Sequence, residues 1–243
     1  MRYSVPYYMG HRLVGLDVPR PCTMIDPQLT ARTEMARMAE ISPLVAHAVA
    51  TDAMPVIYAG DCCIILPVIA GLQRRGIDPV VVFYDAHGDF NTWETTESDF
   101  IGGMPLAMAT GRGEMTIADR CRMRPVPDED TFLVDGRDLD SQEAALLADS
   151  GVRQVSNQDI VDSVPEDRPL YVHVDVDVVD PVDMPAVNYL APGGPSVEAV
   201  ADSVRGLAET GRVVAFSFST WNPALEGAKL SADNSHRIAA PFL

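Results

Sequence analysis

Three potential metal ligands stand at alternate positions in residues 79–92, PVVVFYDAHGDFNT. Asp85, His87 and Asp89 follow the apolar run Val81–Tyr84, whose β-branched and aromatic residues predict a strand buried on both faces. Open α/β sheets bind their ligands beside the carboxyl ends of the strands, where these three side chains would lie. A polar turn after a strand is the alternative, because Asp and Gly are common in turns.

A second stretch, residues 169–181 (PLYVHVDVDVVDP), repeats this plan and favours metal binding over a turn. Asp175 and Asp177 point to the same face because residues i and i+2 of a strand do so. Unpaired carboxylates at the ends of buried strands are costly, and a divalent cation removes that cost. Carboxylates with one imidazole suit manganese better than zinc, which more often binds His and Cys. His173 shares this face, but we expect a buried histidine hydrogen-bonded to a neighbour.

Strands and helices are expected to alternate around these two stretches. Strands are predicted over residues 54–58, 79–84, 131–135, 152–155, 169–175 and 212–218. Helices are predicted over residues 27–50, 64–72, 105–110 and 197–209, with others ending at 148 and beginning near 231. A break is expected at Ser42-Pro43, and residues 1–26 are expected to be irregular because prolines interrupt them. The alternation predicts an α/β fold with a mainly parallel sheet covered on both faces, and no linker divides residues 1–243, so one domain is expected.

Composition excludes several classes of partner. The chain has 243 residues, 47% hydrophobic and 22% charged, as in ordinary globular proteins. Its formal charge of −17 argues against nucleic acid or an anionic membrane as the main partner. No apolar run approaches the roughly 20 residues that span a bilayer, and no signal peptide is expected. The cysteines are Cys22, Cys62, Cys63 and Cys121, and their spacing matches no zinc ribbon or disulfide scaffold. This spacing predicts a reducing compartment, the cytoplasm.

The motifs resemble those of the ureohydrolase family of arginase, agmatinase and formimidoylglutamase. Residues 85–92 (DAHGDFNT) are similar to its second metal motif and residues 173–181 (HVDVDVVDP) to its third. Asp61-Cys62 stands where the family usually has Asp-His, and Asn222-Pro223 falls within the position of its Glu-x-Asn-Pro motif. The resemblance covers residues 54–243. It implies a three-layer α/β/α fold, arginase-like, with two manganese ions that activate water.

The resemblance implies six metal ligands for the two ions. Asp85 and Asp175 would bridge both ions. Asp89 and Cys62 would complete one ion, and His87 and Asp177 the other. Asp85, Asp89 and Asp175 are expected to be catalytic, with Asp89 or a water returning a proton to the leaving amine. A Cys62 thiolate is a soft donor for a hard ion, so one ion is expected to be held weakly. The alternatives are a small buried apolar Cys62, or Cys63 facing the site.

The end of the site that would hold the amino acid also resembles the family. Asn91, Thr96 and Ser98 match positions with which arginases hold an α-carboxylate, and Asp140 matches the acid that faces an α-amino group. Glu94 belongs to the pattern HGDFNTxETT…GGM, which looks like the hydrolases of Nω-hydroxy-L-arginine in cycloserine biosynthesis, and is a candidate polar contact. Each of these residues also has a simpler interpretation. Asn91, Thr96 and Ser98 could be ordinary loop residues, Asp140 could be a helix N-cap, and Glu94 could be a solvated acid.

The sequence departs from the family at the guanidino end. Gly102 stands where arginases carry a His that assists proton transfer, and Thr220, a candidate substrate-binding residue, replaces the Glu that pairs with the guanidinium. Breaking such a buried pair costs roughly 3–5 kcal/mol. Because the amino acid end is kept, we expect a head group less basic than that of arginine. A hydroxyguanidine fits, since its N-hydroxyl lowers basicity.

The sequence therefore predicts a manganese-dependent hydrolase that cleaves the C–N bond of a guanidino-type amino acid. The expected reaction converts Nω-hydroxy-L-arginine to hydroxyurea and L-ornithine, in antibiotic biosynthesis. Hydrolysis of arginine or of another amidine, such as a formimino or guanidino acid, is an alternative. A family member that binds metal or an amino acid without turnover is another. The resemblance also implies a homo-oligomer as one assembly open to this chain.

Overall fold

The computed structural model describes residues 1–16, 18–219 and 221–243. The strands are β1 (Arg2–Val5), β2 (Tyr7–Tyr8), β3 (His11–Arg12), β4 (Thr23–Met24), β5 (Val56–Ala59), β6 (Val80–His87), β7 (Thr131–Asp138), β8 (Arg153–Val155), β9 (Leu170–Asp175) and β10 (Val213–Ser219). The α-helices are α1 (Glu34–Ala50), α2 (Ile65–Arg74), α3 (Pro105–Ala109), α4 (Thr116–Cys121), α5 (Ser141–Ala148), α6 (Ile160–Ser163), α7 (Val197–Glu209) and α8 (Ala228–Ala239).

One sheet organises the fold. Its strand order is β4-β1-β5-β10-β9-β6-β7-β8, and all of these neighbours pair in parallel. Only β2 and β3, among the described strands, form a separate antiparallel pair. The two motif strands β6 and β9 are direct neighbours, with Tyr84 opposite Val174. Their carboxyl ends therefore meet at one edge of the sheet.

Helices cover both faces of this sheet, as predicted. On one face of the sheet, Phe83 and the strand residues that point the same way pack with α1 to α4. On the other face, Val82 and the strand residues that point with it pack with α6, α7 and α8. Burying a large apolar side chain contributes about 1.5–3 kcal/mol, so the two layers of contact hold the strands from both sides. The prediction of a three-layer α/β/α fold with a mainly parallel sheet is confirmed.

The prediction that residues 1–26 are irregular is wrong. Residues Arg2–Val5 form β1, which lies between β4 and β5 in the sheet. Tyr3 and Val5 are buried there. Pro6 follows the strand and does not interrupt it. The strand owes its stability to pairing with distant segments, and a four-residue pattern cannot reveal this.

The predicted break at Ser42-Pro43 is also wrong, because α1 runs without interruption from Glu34 to Ala50. A proline has no N–H to donate to the carbonyl four residues earlier, here that of Ala39. The hydroxyl of Ser42 donates to this same carbonyl at 3.1 Å. This hydrogen bond satisfies the free acceptor, and buried side chains such as Ile41 keep the helix packed on the core.

Candidate active site

Hydrogen bonds order the segments at the carboxyl ends of β6 and β9 and link them to each other. The N–H of His87 donates to Oδ1 of Asp85 at 2.7 Å, and the N–H of Asp177 donates to Oδ1 of Asp175 at 3.1 Å. The N–H of Ala86 reaches across to Oδ1 of Asp177 at 3.3 Å. Each carboxylate is thus fixed by backbone groups of its own or the neighbouring strand end.

Three donor groups converge at this junction. Nδ1 of His87 lies 3.3 Å from Oδ1 of Asp85 and 3.2 Å from Oδ2 of Asp177. One ligand atom from each of the three residues lies within 4.8 Å of the other two. Burial lowers the pKa of His87, but its hydrogen bonds to Asp177 and Asp85 outweigh that effect and raise the pKa to about 12. Two carboxylates and an imidazole of this kind can hold a divalent cation.

The remaining carboxylates crowd the same place. Burial raises the pKa of Asp85, Asp89 and Asp175 well above the ordinary carboxyl range, and repulsion by neighbouring carboxylates adds to the rise. Oδ2 of Asp89 is buried without a hydrogen-bond partner in the described part of the chain. Asp89 itself has a left-handed backbone (φ 48°). A buried, unpartnered carboxylate oxygen among like charges fits a cation site, because a cation would relieve both costs.

Cys62, rather than Cys63, faces the cavity above these carboxylates. Its Sγ donates to the carbonyl of Gly102 at 3.4 Å. Burial, followed by the charges of Asp89 and Asp175, raises the pKa of the Cys62 thiol well above its usual value. The thiol is therefore protonated without a cation nearby, and its role as a ligand remains a prediction.

A cavity of about 310 Å³ opens over the carboxyl ends of the central strands. It is lined by ten of the residues that the sequence singled out: Cys62, Asp85, His87, Asp89, Asn91, Thr96, Ser98, Asp140, Asp175 and Asp177. Glu94 is not brought to the cavity: it is exposed, and its own N–H donates to Thr92. Thr220 lies outside the described residues.

The predicted amino acid end forms a polar cluster. Nδ2 of Asn91 donates to Oδ2 of Asp140 at 3.1 Å, and Oδ1 of Asn91 accepts from the hydroxyl of Thr95 at 2.9 Å. The hydroxyls of Thr96 and Ser98 lie 3.4 Å apart. The cluster presents a carboxylate beside hydroxyl and amide donors, a set that can bind an ammonium and a carboxylate together.

Glu143 holds this cluster against the metal motif, and sequence reasoning missed it. Its Oε1 accepts from the N–H of Phe90 at 2.8 Å and its Oε2 from the N–H of Asp140 at 3.2 Å. Gly88 makes room for it, since a Cβ there would lie 2.6 Å from Oε1 of Glu143. The available signal was the spacing Asp140-x-x-Glu143, which is typical of a capped helix start.

The segment Tyr7–Met9 also reaches the cavity, which the sequence did not indicate. The N–H of Met9 donates to Oδ2 of Asp61 at 3.0 Å, and the segment lies so close to Gly60 that a Cβ there would be 2.2 Å from the carbonyl oxygen of Tyr7. Tyr8 consequently lines the cavity. This placement depends on packing between distant segments.

Aromatic rings occupy the region around Gly102. A Cβ at position 102 would lie 2.2 Å from Cε1 of Phe100, so the Phe100 ring fills the space that a side chain would need. The ring of Tyr189 lies 5.5 Å from that of Phe100, and its hydroxyl lies 3.3 Å from that of Tyr8. Neither Phe100 nor Tyr189 was predicted from the sequence. The described residues of this wall, Phe100, Tyr189 and Tyr8, include no histidine or carboxylate.

His173 is fully buried in β9, and its expected role as a histidine satisfied by neighbours is confirmed. Nδ1 lies 2.7 Å from Oγ of Ser217, and Nε2 lies 2.9 Å from Oγ of Ser219. Ser219, at the end of β10, lines the cavity and was not singled out by sequence. Its signal was the alternation of small polar residues in the last strand.

Comparison with known proteins fits this geometry. The model of the arginase family matches residues 14–243. The chain belongs to the arginase family. The predicted ureohydrolase resemblance, and with it an enzyme of the metal-dependent hydrolase type, is thereby confirmed.

Individual members of the arginase family are similar in sequence to this chain. Over 189 residues the chain is 31% identical to the N(omega)-hydroxy-L-arginine amidinohydrolase of Streptomyces lavendulae, covering 75% of this chain and 67% of that protein. Over 185 residues it is 28% identical to the arginase of Bacillus subtilis strain 168, covering 71% and 62%. The chain thus spans about two thirds of the length of these relatives.

A solved structure with a similar fold is the arginase of Entamoeba histolytica in complex with L-ornithine, with a TM-score of 0.85 at 20% identity. It covers 99% of this chain and 96% of that one, and at this identity it shows the fold. Within the described residues, no helix is long and apolar enough to cross a membrane.

Proposed function

We propose that this arginase-family protein hydrolyses Nω-hydroxy-L-arginine to hydroxyurea and L-ornithine. The observation that carries the proposal is the asymmetry of the cavity. At one end Asn91 and Asp140 form the polar cluster suited to an α-amino acid. At the other end Gly102 replaces the acid–base histidine of the family, and the Phe100 ring fills the space beside it. A head group less basic than guanidinium depends less on charged or acid–base side chains at that end of the cavity.

We also propose two manganese ions as cofactors, one of them held weakly. The residues that would hold them are Asp85, His87, Asp89, Asp175, Asp177 and Cys62. When bound, such ions lower the pKa of water towards neutrality and polarise the bond to be cleaved. The convergence of three donors at His87 and the unpartnered oxygen of Asp89 support this proposal.

The residues of the chain have separate proposed roles. Asn91, Thr96 and Ser98 donate hydrogen bonds to the α-carboxylate, and Asp140 accepts from the α-ammonium group. Asp89 is the proposed carrier of a proton to the leaving amine, because its Oδ2 has no hydrogen-bond partner in the described part of the chain. Thr220 remains a predicted contact of the head group, and Glu94, being exposed, has no proposed role in binding.

Other general properties are proposed on the same basis. The described cysteines are free thiols, which supports the cytoplasm as the compartment. Both helical layers pack on one sheet, which supports one arginase-like domain over residues 1–243. The formal charge of −17 supports a small-molecule partner rather than nucleic acid or an anionic membrane.

The test is hydrolysis of Nω-hydroxy-L-arginine and L-arginine in parallel by the manganese-loaded protein, with ornithine as the readout. We expect kcat/KM to be at least about tenfold higher for the hydroxylated substrate, a difference of ~1.4 kcal/mol. The variant Asp175→Asn is the control for adventitious hydrolysis. Comparable or faster turnover of arginine would replace the proposal with an arginase reaction, the activity of the Bacillus subtilis relative. No ornithine from either, with bound metal confirmed by calorimetry, would indicate another amidine or a binding protein.

A further inference from the structure

Four hydrogen-bonded side chains run from the core of the sheet to the cavity wall. The hydroxyl of Tyr171 lies 2.6 Å from Oγ of Ser217, which lies 2.7 Å from Nδ1 of His173. Nε2 of His173 lies 2.9 Å from Oγ of Ser219. Tyr171, His173 and Ser217 are fully buried, and only Ser219 lines the cavity. We call these four residues the Tyr171–Ser219 chain.

His173 is neutral in this chain. The ring is fully buried, and its two described polar partners are serine hydroxyls, which carry no charge to balance a buried imidazolium. A neutral imidazole has one N–H and one bare nitrogen. One of its two hydrogen bonds is therefore donated and the other accepted, so the whole chain has a direction.

Only one direction gives every buried hydrogen an acceptor. If Ser219 donated to Nε2, then Nδ1–H would donate to Ser217, and either the Ser217 or the Tyr171 hydrogen would have no acceptor among the described residues. An unsatisfied buried donor is costly. In the opposite direction Tyr171 donates to Ser217, Ser217 donates to Nδ1, and Nε2–H donates to Ser219. The O–H of Ser219 is then free to donate into the cavity.

Ser219 stands at the head-group end of the cavity. It lies opposite Asp175 of β9 on one side and Ala59 of β5 on the other, between a predicted metal ligand and the loop that carries Cys62. Its hydroxyl has no hydrogen-bond partner other than His173 in the part of the chain that the structure describes. Its O–H is thus available to a bound molecule.

We propose that Ser219 donates a hydrogen bond to an acceptor atom of the substrate head group, with Tyr171, Ser217 and His173 as positioning residues. This rests on the proposed function and deepens it. A guanidinium has N–H donors and no acceptor, so one of its N–H groups would face the O–H donor of Ser219 without forming a hydrogen bond. A neutral N-hydroxyguanidine offers a bare nitrogen and a hydroxyl oxygen. The Tyr171–Ser219 chain therefore selects a neutral head group that carries an acceptor.

The first test measures the direction of the chain and needs no activity. The full-length protein is labelled with ¹⁵N-histidine and studied with diamagnetic Mg²⁺, and the His173 signals are assigned by comparison with His173→Gln. Long-range ¹H–¹⁵N correlations distinguish the two tautomers of a neutral imidazole. We expect hydrogen on Nε2. Hydrogen on Nδ1 would overturn the proposal whatever the enzyme hydrolyses.

The second test compares Ser219→Ala, which loses the donor, with Ser219→Thr, which keeps it. For Ser219→Ala we expect kcat/KM for Nω-hydroxy-L-arginine to fall about tenfold, the size of one net hydrogen bond, with no fall for L-arginine. Ser219→Thr should retain the preference of the wild-type protein. An equal fall for both substrates would overturn the proposal, because it would mean a general effect on the metal centre or on folding.

The two tests separate this proposal from the proposed function. If the wild-type protein hydrolysed neither substrate, the proposed function would fail. The tautomer would then still decide the direction of the chain, and calorimetric binding of the two amino acids to wild-type and Ser219→Ala protein would decide the contact. Unchanged relative affinity after the loss of the Ser219 hydroxyl would contradict the contact.

Discussion

Cys62 would contribute a soft sulfur donor to a set of predicted ligands whose other donors are harder. The other predicted ligands offer carboxylate oxygens and an imidazole, and these suit manganese. A thiol must first lose its proton to bind a cation, and burial together with nearby carboxylates raises the pKa of this thiol. The combination explains why a weakly held ion is expected on this side of the site.

Replacing Cys62 by His should therefore strengthen manganese binding. An imidazole is a harder donor and binds in its neutral form, so we expect the weaker ion to bind at least about tenfold tighter, or ~1.4 kcal/mol. Isothermal titration calorimetry with Mn²⁺ measures the effect. Cys63→Ser is the matched control, because Cys63 is buried outside the cavity lining and should leave the affinity unchanged. Equal affinities for the wild-type, Cys62→His and Cys62→Ala proteins would show that position 62 does not bind the ion.

The next scale is that of the elements, where short contacts between distant segments shape the cavity. The loop after β5 and the Tyr7–Met9 segment touch backbone to backbone at Gly60. Tyr8 lines the cavity only because this contact is close. A glycine is required at position 60, since any Cβ would collide with the carbonyl oxygen of Tyr7.

We expect Gly60→Ala to destabilise the protein by about 1–3 kcal/mol, the usual cost of overpacking, and to displace Tyr8 from the cavity. Urea denaturation gives the free energy of unfolding. Gly103→Ala is the control: a Cβ there would have its nearest neighbour, Nδ2 of Asn91, at 3.9 Å. Equal stabilities of the two variants would contradict the close contact.

A second element-scale contact supports Phe90, which lies between Asp89 and Asn91. The guanidinium of Arg112 lies over the Phe90 ring, 5.1 Å from its centroid, and donates to both oxygens of Asp128 at 2.7 and 2.6 Å. These hydrogen bonds with Arg112 lower the pKa of Asp128 below its ordinary value of 3.8. The ion pair thereby joins the segment after α3 to the turn before β7.

Because this pKa is depressed in the folded state, the pair stabilises the protein above the ordinary carboxyl pKa and is lost as the pH falls through the folded value. Asp128→Asn should lower the free energy of unfolding at pH 7 by about 1 kcal/mol, allowing for partial exposure. The difference from wild type should shrink below about pH 4. Denaturation curves at both pH values test this. Asp78→Asn removes a mostly exposed partner of Arg124 and should have little effect at either. A difference independent of pH would contradict the assignment.

On the scale of the whole molecule, the central question is how an acidic protein tolerates so many carboxylates in one cavity. Burial and mutual repulsion raise the pKa values of Asp85, Asp89 and Asp175, so at these positions the metal-free folded protein binds more protons than the unfolded chain. The contribution of these three groups to stability should therefore fall as the pH rises above the ordinary carboxyl pKa. A bound cation takes the place of those protons.

The gain in Tm on adding Mn²⁺ should consequently be larger at pH 8 than at pH 5.5. Thermal unfolding of chelator-treated protein, with and without Mn²⁺ at each pH, measures it. Asp85→Asn, which weakens the predicted bridging position, should show a smaller gain at both. A gain that did not depend on pH would mean that the cation binds away from these carboxylates.

The sequence by itself determined the strands from residue 54 onward, the parallel α/β class and the metal motifs. These features follow from local rules: apolar runs predict buried strands, and strand alternation places Asp85 with His87. The predicted alternation of Asp175 with Asp177 is wrong, because β9 ends at Asp175 and Asp177 lies in a 3-10 turn, where its N–H donates to Asp175. The family could be recognised because both motifs are continuous in sequence.

The tertiary structure alone decided which of these features meet. It placed β6 beside β9, brought in β1 and the Tyr7–Met9 segment, and set Glu143, Phe100 and Ser219 around the cavity. Each placement depends on pairing or packing between segments far apart in the chain, and no short pattern encodes it. The direction of hydrogen bonding that ends at Ser219 likewise exists only because two neighbouring parallel strands bring His173 opposite Ser217.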